Sequence, residues 1–239
     1  MSSSIELFLG QESNEITPHE DTLRHKSMRK SLIDGIRKKG ITDEAVLDAL
    51  MEVPRHFFFD KEFDTIAYED RAFPIAANQT ISQPYTVAFQ TQLLQVKRHE
   101  KILEVGTGSM YQATILAEMG ARVFSIERQS ALFEKTKKFN LRNRYPLTGL
   151  KFFYGDGFEG LPTYAPFDKI IITCGAPFIP PKLLDQLRPG GIMVVPVAQD
   201  EHHKMYRVTK KEDGTFTEEI FSDFSFVPML PGTNSNPVI

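Results

Sequence analysis

Gly106-Thr107-Gly108 follows the run Ile102-Leu103-Glu104-Val105, and Glu127 closes a second apolar run, about 20 residues further on, as cofactor-binding strand–turn–helix units space them. Glycines there let the backbone turn sharply and admit a ligand where side chains would obstruct it. An acid at the second strand's end can accept both hydroxyls of a ribose. A dinucleotide would want a small residue at position 111, and the chain has Tyr111, which disfavours a pyrophosphate on that helix start. Glu104, two residues before the first glycine, fits instead a cofactor with a positively charged amino-acid end. S-adenosylmethionine is such a cofactor. A tight turn without a ligand is the plainer reading of the glycines alone, and Glu127 weighs against it.

Three further stretches could carry chemistry. Gly155-Asp156-Gly157 follows a third apolar run; its glycines let backbone pass close to a flat ring, and the carboxylate can accept from an adenine amino group. Taken alone it is also a common turn. Asn78-Gln79-Thr80-Ile81-Ser82-Gln83-Pro84-Tyr85 is a dense polar run entering a helix. Ser82 either caps that helix ahead of Pro84 or orients a substrate group with its hydroxyl. No Gly-x-Ser-x-Gly elbow surrounds it, so nothing supports a serine nucleophile. Cys174 ends another strand and reads as packed rather than reactive. His202-His203 lacks further spaced ligands, so no metal site is expected. The basic run Lys135, Lys137, Lys138, Arg142, Arg144 reads as a solvated helix face.

The elements that must position these residues alternate. Apolar strands are predicted at 101–105, 122–126, 150–154, 168–173 and 191–197, with helices at 111–119, 130–143 and 181–187. Strands apolar on both faces and separated by helices mean a parallel sheet covered on both sides. Pro189-Gly190-Gly191 predicts a sharp turn into the fifth strand. His203–Thr209 and Phe216–Phe226 alternate across Glu212-Asp213-Gly214, a hairpin signature. The fold class is therefore α/β, a doubly wound, mostly parallel sheet closed by antiparallel C-terminal strands. In such sheets the ligand crevice lies at the carboxyl ends of the strands, where the glycine turn, Glu127, Asp156 and Cys174 fall.

Ahead of the sheet, Ser27 is expected to cap a helix running to Lys38, and Thr42 to start another that Pro54 stops. Phe57-Phe58-Phe59 reads as a core plug. Residues 1–24 read as a flexible extension. Residues 25–239 form one domain, helical over 25–97 and sheet-forming over 98–239. The net charge of −3 gives no general electrostatic reason to bind nucleic acid. No window approaches the ~20 apolar residues of a membrane span. A single cysteine excludes an intrachain disulfide and suits a reducing compartment, so a cytoplasmic protein is expected.

Together these residues resemble the protein-L-isoaspartate O-methyltransferase family, a class I S-adenosylmethionine-dependent group, over roughly residues 27–231. The resemblance rests on Ala67-Tyr68-Glu69-Asp70-Arg71, Gln79-Thr80-Ile81-Ser82-Gln83-Pro84-Tyr85, Leu103-Glu104-Val105-Gly106-Thr107-Gly108-Ser109, Tyr111-Gln112-Ala113, Glu127-Arg128, Gly155-Asp156-Gly157, Pro189-Gly190-Gly191 and Phe226-Val227-Pro228-Met229-Leu230. It implies a seven-stranded Rossmann-like sheet. It also implies an enzyme that methylates the free carboxyl of L-isoaspartyl residues in damaged proteins and peptides. Ser82 takes the active-site serine position. Gly106, Thr107, Gly108, Glu127, Asp156 and Gly157 line the cofactor, with Glu104 at its amino end and Thr80 and Ile81 near its methyl. Two departures stand on the catalytic side: Met110 where the family has glycine, and Ala76-Ala77-Asn78 where it has a glycine-rich turn. If Met110 requires a positive φ, it is expected to be strained and to fill part of the pocket. A catalytically impaired or regulatory S-adenosylmethionine-binding homologue is the alternative reading.

Overall fold

The computed structural model describes residues 20–59, 63–138 and 149–235. Most of the expected N-terminal extension, the end of the helical stretch 130–143, and Arg142 and Arg144 lie outside them.

The first helix, α1 (Leu23–Lys38), starts before the expected Ser27. Thr22 caps it: its hydroxyl accepts from His25 N, while the His25 ring accepts from Thr22 N. A histidine doing the work usually given to Glu or Gln hides this capping box from the sequence pattern. Asp43 caps α2 (Glu44–Glu52) by accepting from the amides of Ala45 and Val46, one residue later than Thr42. Pro54 then opens a short 3₁₀ turn, Arg55–Phe58, in which Phe57 and Phe58 are buried. β1 (Phe73–Ile75) and β2 (Gln79–Ile81) pair antiparallel around Ala76–Asn78. There Ala77 and Asn78 hold left-handed φ values of +59° and +54°. α3 (Pro84–Leu94) follows, with proline in its first turn, where its missing N–H costs no helical bond.

The sheet strands are β3 (Lys101–Val105), β4 (Arg122–Glu127), β5 (Leu150–Tyr154), β6 (Phe167–Ile172), β7 (Leu187–Gln199), β8 (His202–Lys210) and β9 (Phe216–Phe224). Their order is β5-β4-β3-β6-β7-β8-β9, with β5 through β7 parallel and β8 and β9 antiparallel. This is the expected seven-stranded, doubly wound sheet. α4 (Tyr111–Glu118), α5 (Ser130–Lys138) and α6 (Pro181–Asp185) lie between its parallel strands. Strand order reverses at β3, which pairs with both β4 and β6, so the crevice opens at its carboxyl end.

Pro189-Gly190-Gly191 does not precede β7 but lies within it, as an irregularity: Phe167 pairs with Leu187 and Lys169 with Ile192. Gly190 takes φ +72°, and a Cβ on Gly191 would stand 2.8 Å from the Arg188 carbonyl. The glycines serve a bulge. The sheet buries one cluster on each face, Leu103, Ile170, Met193 and Val195 on one and Ile102, Ile171 and Val194 on the other, all fully enclosed. No helix among the described residues is long and apolar enough to cross a membrane.

Candidate functional site

Gly106 leaves β3 with φ +100° and Gly108 follows with φ +51°. Side chains are strained in both conformations. A Cβ on Gly106 would come within 2.6 Å of Thr173 Oγ1, and one on Gly157 within 2.5 Å of Val105 Cγ1. The floor of the crevice is thus closed to any side chain at these positions. Thr107, buried, shares a 2.5 Å hydrogen bond with Ser125.

Glu127 ends β4 and is 4% exposed. One of its oxygens accepts from Gly108 N at 2.9 Å and the other from Gln129 N at 2.8 Å. These bonds lock the glycine turn to the neighbouring strand and leave lone pairs for ligand hydroxyls. Burial raises its pKa, while the surrounding amides, led by Gly108, pull it back.

A cavity opens over this floor. Gly106, Thr107, Gly108, Glu127 and Gly157 line it on the sheet side, and Thr80 and Ser82 on the other. Val227, Pro228, Met229 and Leu230 form a further wall, one that spacing arguments did not assign to the site. The segment is pinned there by reciprocal backbone bonds, Gly175 N to Val227 O and Met229 N to Gly175 O, both 2.8 Å.

Ser82 is not a helix cap. The residue ahead of α3 is Gln83, without a side-chain capping bond, and the Ser82 hydroxyl makes no hydrogen bond among the described residues. Its carbonyl is held instead, accepting from Arg55 Nη2 at 2.9 Å. Arg55 is wholly buried, donates Nε to the Ala67 carbonyl at 2.9 Å, and lies 4.7 Å from the centre of the Tyr111 ring. Desolvation brings its pKa down to about 10, still charged at neutral pH. Asp70 completes the clamp: its carboxylate accepts from Tyr85 N at 2.8 Å, and its carbonyl from the Gln83 amide at 3.0 Å.

Three predicted site residues do not line the cavity. Ile81 is 1% exposed and packs into the helical N-terminal core. Asp156 turns towards the chain's last described segment, accepting from Phe158 N at 2.9 Å and from Gly232 N at 2.6 Å. Glu104 is completely enclosed, takes a hydrogen bond from Ser125, and leaves Oε1 without a partner. Burial, with Glu127 nearby, pushes its pKa up to about 8.

Met110 does take a left-handed φ, +71°, as the strain argument requires. The expected obstruction does not follow. Its side chain is 2% exposed, belongs to the cluster around Phe58, Phe73 and Tyr111, and does not line the cavity. Cys174 does line it, but burial pushes its thiol up to about 12, so it is an inert neutral wall.

Among the described residues, one group brings metal-binding types together: Asp21, His25 and His56. Both Asp21 oxygens are taken by Arg29, at 3.0 and 2.8 Å. The two imidazoles stack 3.8 Å apart, and the Glu20 carbonyl lies 3.2 Å from His56 Nε2. Stacked rings direct their lone pairs side by side rather than to a common point, so the group serves to tie α1 to the 3₁₀ turn.

A family model described as protein-L-isoaspartate(D-aspartate) O-methyltransferase (PCMT) matches residues 26–234. A protein-L-isoaspartate O-methyltransferase of Christiangramia forsetii is 52% identical over 215 residues, covering 90% of this chain and all of that one. Another, from Salinibacter ruber, is 43% identical over 230 residues, covering 90% of this chain and 96% of its own. A solved Plasmodium falciparum structure in complex with S-adenosyl-L-homocysteine has a TM-score of 0.74 at 24% identity. It covers 84% of this chain and 98% of its own, a likeness of fold.

Proposed function

The chain belongs to the protein-L-isoaspartate(D-aspartate) O-methyltransferase family, and from that premise we propose how its own residues carry out the family's reaction. It is a repair methyltransferase, moving a methyl group to the free carboxyl of L-isoaspartyl residues in damaged proteins and peptides. The observation that carries this reading is the free Ser82 hydroxyl, at the rim of a cavity floored by Gly106, Gly108 and Glu127, on a segment whose Ser82 carbonyl is held by Arg55 and whose Gln83 and Tyr85 are held by Asp70.

The donor we propose is S-adenosylmethionine, and the cavity fits it. Side chains are excluded from the floor at Gly106 and Gly157. Glu127, buried and lining the cavity, would present its carboxylate to a ribose, whereas Glu104 is enclosed beneath the floor and does not reach the ligand space. Bound there, that cofactor supplies a methyl carbon attached to a positively charged sulfur. Thr80 lines the same wall as Ser82, with Ile81 packed behind it.

An acceptor carboxylate is already ionised at neutral pH, so the chain needs no general base. Its tasks are alignment and exclusion of water. The Ser82 hydroxyl holds one acceptor oxygen by a neutral hydrogen bond. A cation there would stabilise the free carboxylate, whose charge is lost in the transfer, and would slow the step. We place the reaction in the cytoplasm, a reducing compartment that suits a chain whose single cysteine can form no intrachain disulfide.

Transfer of labelled methyl from S-adenosylmethionine to an isoaspartyl peptide, and none to its normal aspartyl counterpart, is the expected result. Transfer to neither peptide, with the cofactor bound, would overturn it. Ser82→Ala is expected to lower kcat by up to roughly ten-fold, the worth of one neutral hydrogen bond, with calorimetric affinity for the cofactor nearly unchanged. Equal turnover would remove Ser82 from the mechanism.

A further inference from the structure

Past Ser82 the cavity does not end. A second groove shares Thr80, Ser82, Thr173 and Val227 with it and runs out towards the β8–β9 edge of the sheet. An acceptor whose carboxyl meets Ser82 must leave its remaining chain in this groove, because the sheet-side cavity is the cofactor's. The premise is the methyl-acceptor reading given above.

Both ion pairs in this groove are closed within the protein. Lys39 Nζ sits 2.6 Å from Asp70 Oδ2, and Asp223 sits 2.8 Å from Lys204 Nζ. Neither pair presents an unmatched charge to a peptide. The groove offers aromatic surface instead. Tyr85 and Phe224 lie nearly parallel, ring centroids 6.4 Å apart at 18°, and Phe226 stands 6.4 Å from Phe224. All three line the groove and are only half-buried. Phe89 packs against Phe224 with centroids 5.1 Å apart and rings tilted by 41°, which holds the Phe224 ring in place while it stays half-buried.

We propose that Tyr85, Phe224 and Phe226 form a subsite for an apolar or aromatic side chain flanking the isoaspartyl residue, so that the enzyme discriminates among damage sites by their neighbour. Aromatic rings held in place by neighbouring rings gain contact area on binding with little loss of rotamer freedom. Covering about 55 Å² of apolar surface there corresponds to roughly ten-fold in kcat/KM.

The test uses the full chain and a panel of isoaspartyl peptides carrying Phe, Leu, Gly or Glu immediately before or after the isoaspartyl residue. At one of the two positions, Phe is expected to raise kcat/KM roughly ten-fold over Gly, with Leu between. In Phe224→Ala that ratio should collapse towards one. The comparison is the Phe/Gly ratio within each protein, so a uniform loss of activity cancels. Should Phe224→Ala fail to fold, Phe224→Leu keeps the packing on Phe89 but lacks a ring face, and should reduce the preference for Phe over Leu. Equal rates for Phe and Gly at both positions in the unaltered protein would overturn the subsite, as would a ratio that survives in the variant. Absence of transfer to every isoaspartyl peptide would instead overturn the underlying acceptor reading, and the subsite with it.

Discussion

At Met110 two opposed effects can be weighed. A side chain at φ +71° costs about 1–2 kcal/mol in backbone strain. Burying a methionine side chain is worth about 1.5–3 kcal/mol, and this one is 2% exposed. Burial wins. Met110→Gly is therefore expected to lower the melting temperature slightly even though it relaxes the backbone. It should leave calorimetric affinity for S-adenosylmethionine within a few-fold, and a large gain in affinity would place the side chain in the cavity after all. Glu104 makes a separate prediction. Its folded pKa of about 8 lies above the ordinary 4.5, so folding favours its neutral form. The stability it contributes is complete below about pH 4 and is lost as pH rises through about 8. Glu104→Gln should flatten the decline in melting temperature of the ligand-free protein between about pH 5 and pH 9, whereas an unchanged decline would assign that pH dependence to other groups.

The elements show where the sequence was legible. β3 through β6 fell within a residue or so of their predicted limits; β3, β4 and β6 are buried on both faces and read as nearly unbroken apolar runs, whereas the edge strand β5 was legible from its aromatic residues alone. The start of α1 did not, because His25 replaces the expected acid in its capping box. Arg55 was missed for a different reason: a charge beside Phe57-Phe58-Phe59 carries no periodicity to show that it turns inward. Yet it spans the 3₁₀ turn, the Ala67 carbonyl and the Ser82 carbonyl. The Ser82 loop needs that support, since Ala77 and Asn78 hold positive φ without being glycine, each at a cost of about 1–3 kcal/mol. Arg55→Lys keeps the charge but loses the two-pronged donor. We expect kcat to fall at least about ten-fold, the equivalent of one charged hydrogen bond, at temperatures where circular dichroism shows the variant folded. Unchanged kcat would leave Arg55 as a purely structural residue.

At the scale of the whole molecule, the cavity is assembled from segments far apart in sequence. Gly106, Gly108 and Glu127 could be found by spacing because one strand–turn–helix unit holds them. The wall at 227–230 could not, since only the tertiary course of the chain brings it across β3 and β6. Asp156 belongs to this level: it binds Gly232 N rather than facing the cavity, and Asn234 adds a 2.8 Å bond to Gln129. Asp156→Ala is expected to weaken cofactor binding by roughly ten-fold through loss of the charged bonds it accepts. Amide exchange at Met229 and Gly232 should rise with it. Weakened binding without faster exchange would point to direct contact with the ligand.

That late wall also bears on how the protein is made. During synthesis the glycine turn, Glu127 and the Ser82 loop are all present well before Val227–Leu230 has left the ribosome. The cavity cannot enclose a ligand until that segment has crossed the sheet and bonded to Gly175. Retention of cofactor is therefore expected to require Val227–Leu230 in place across the cavity.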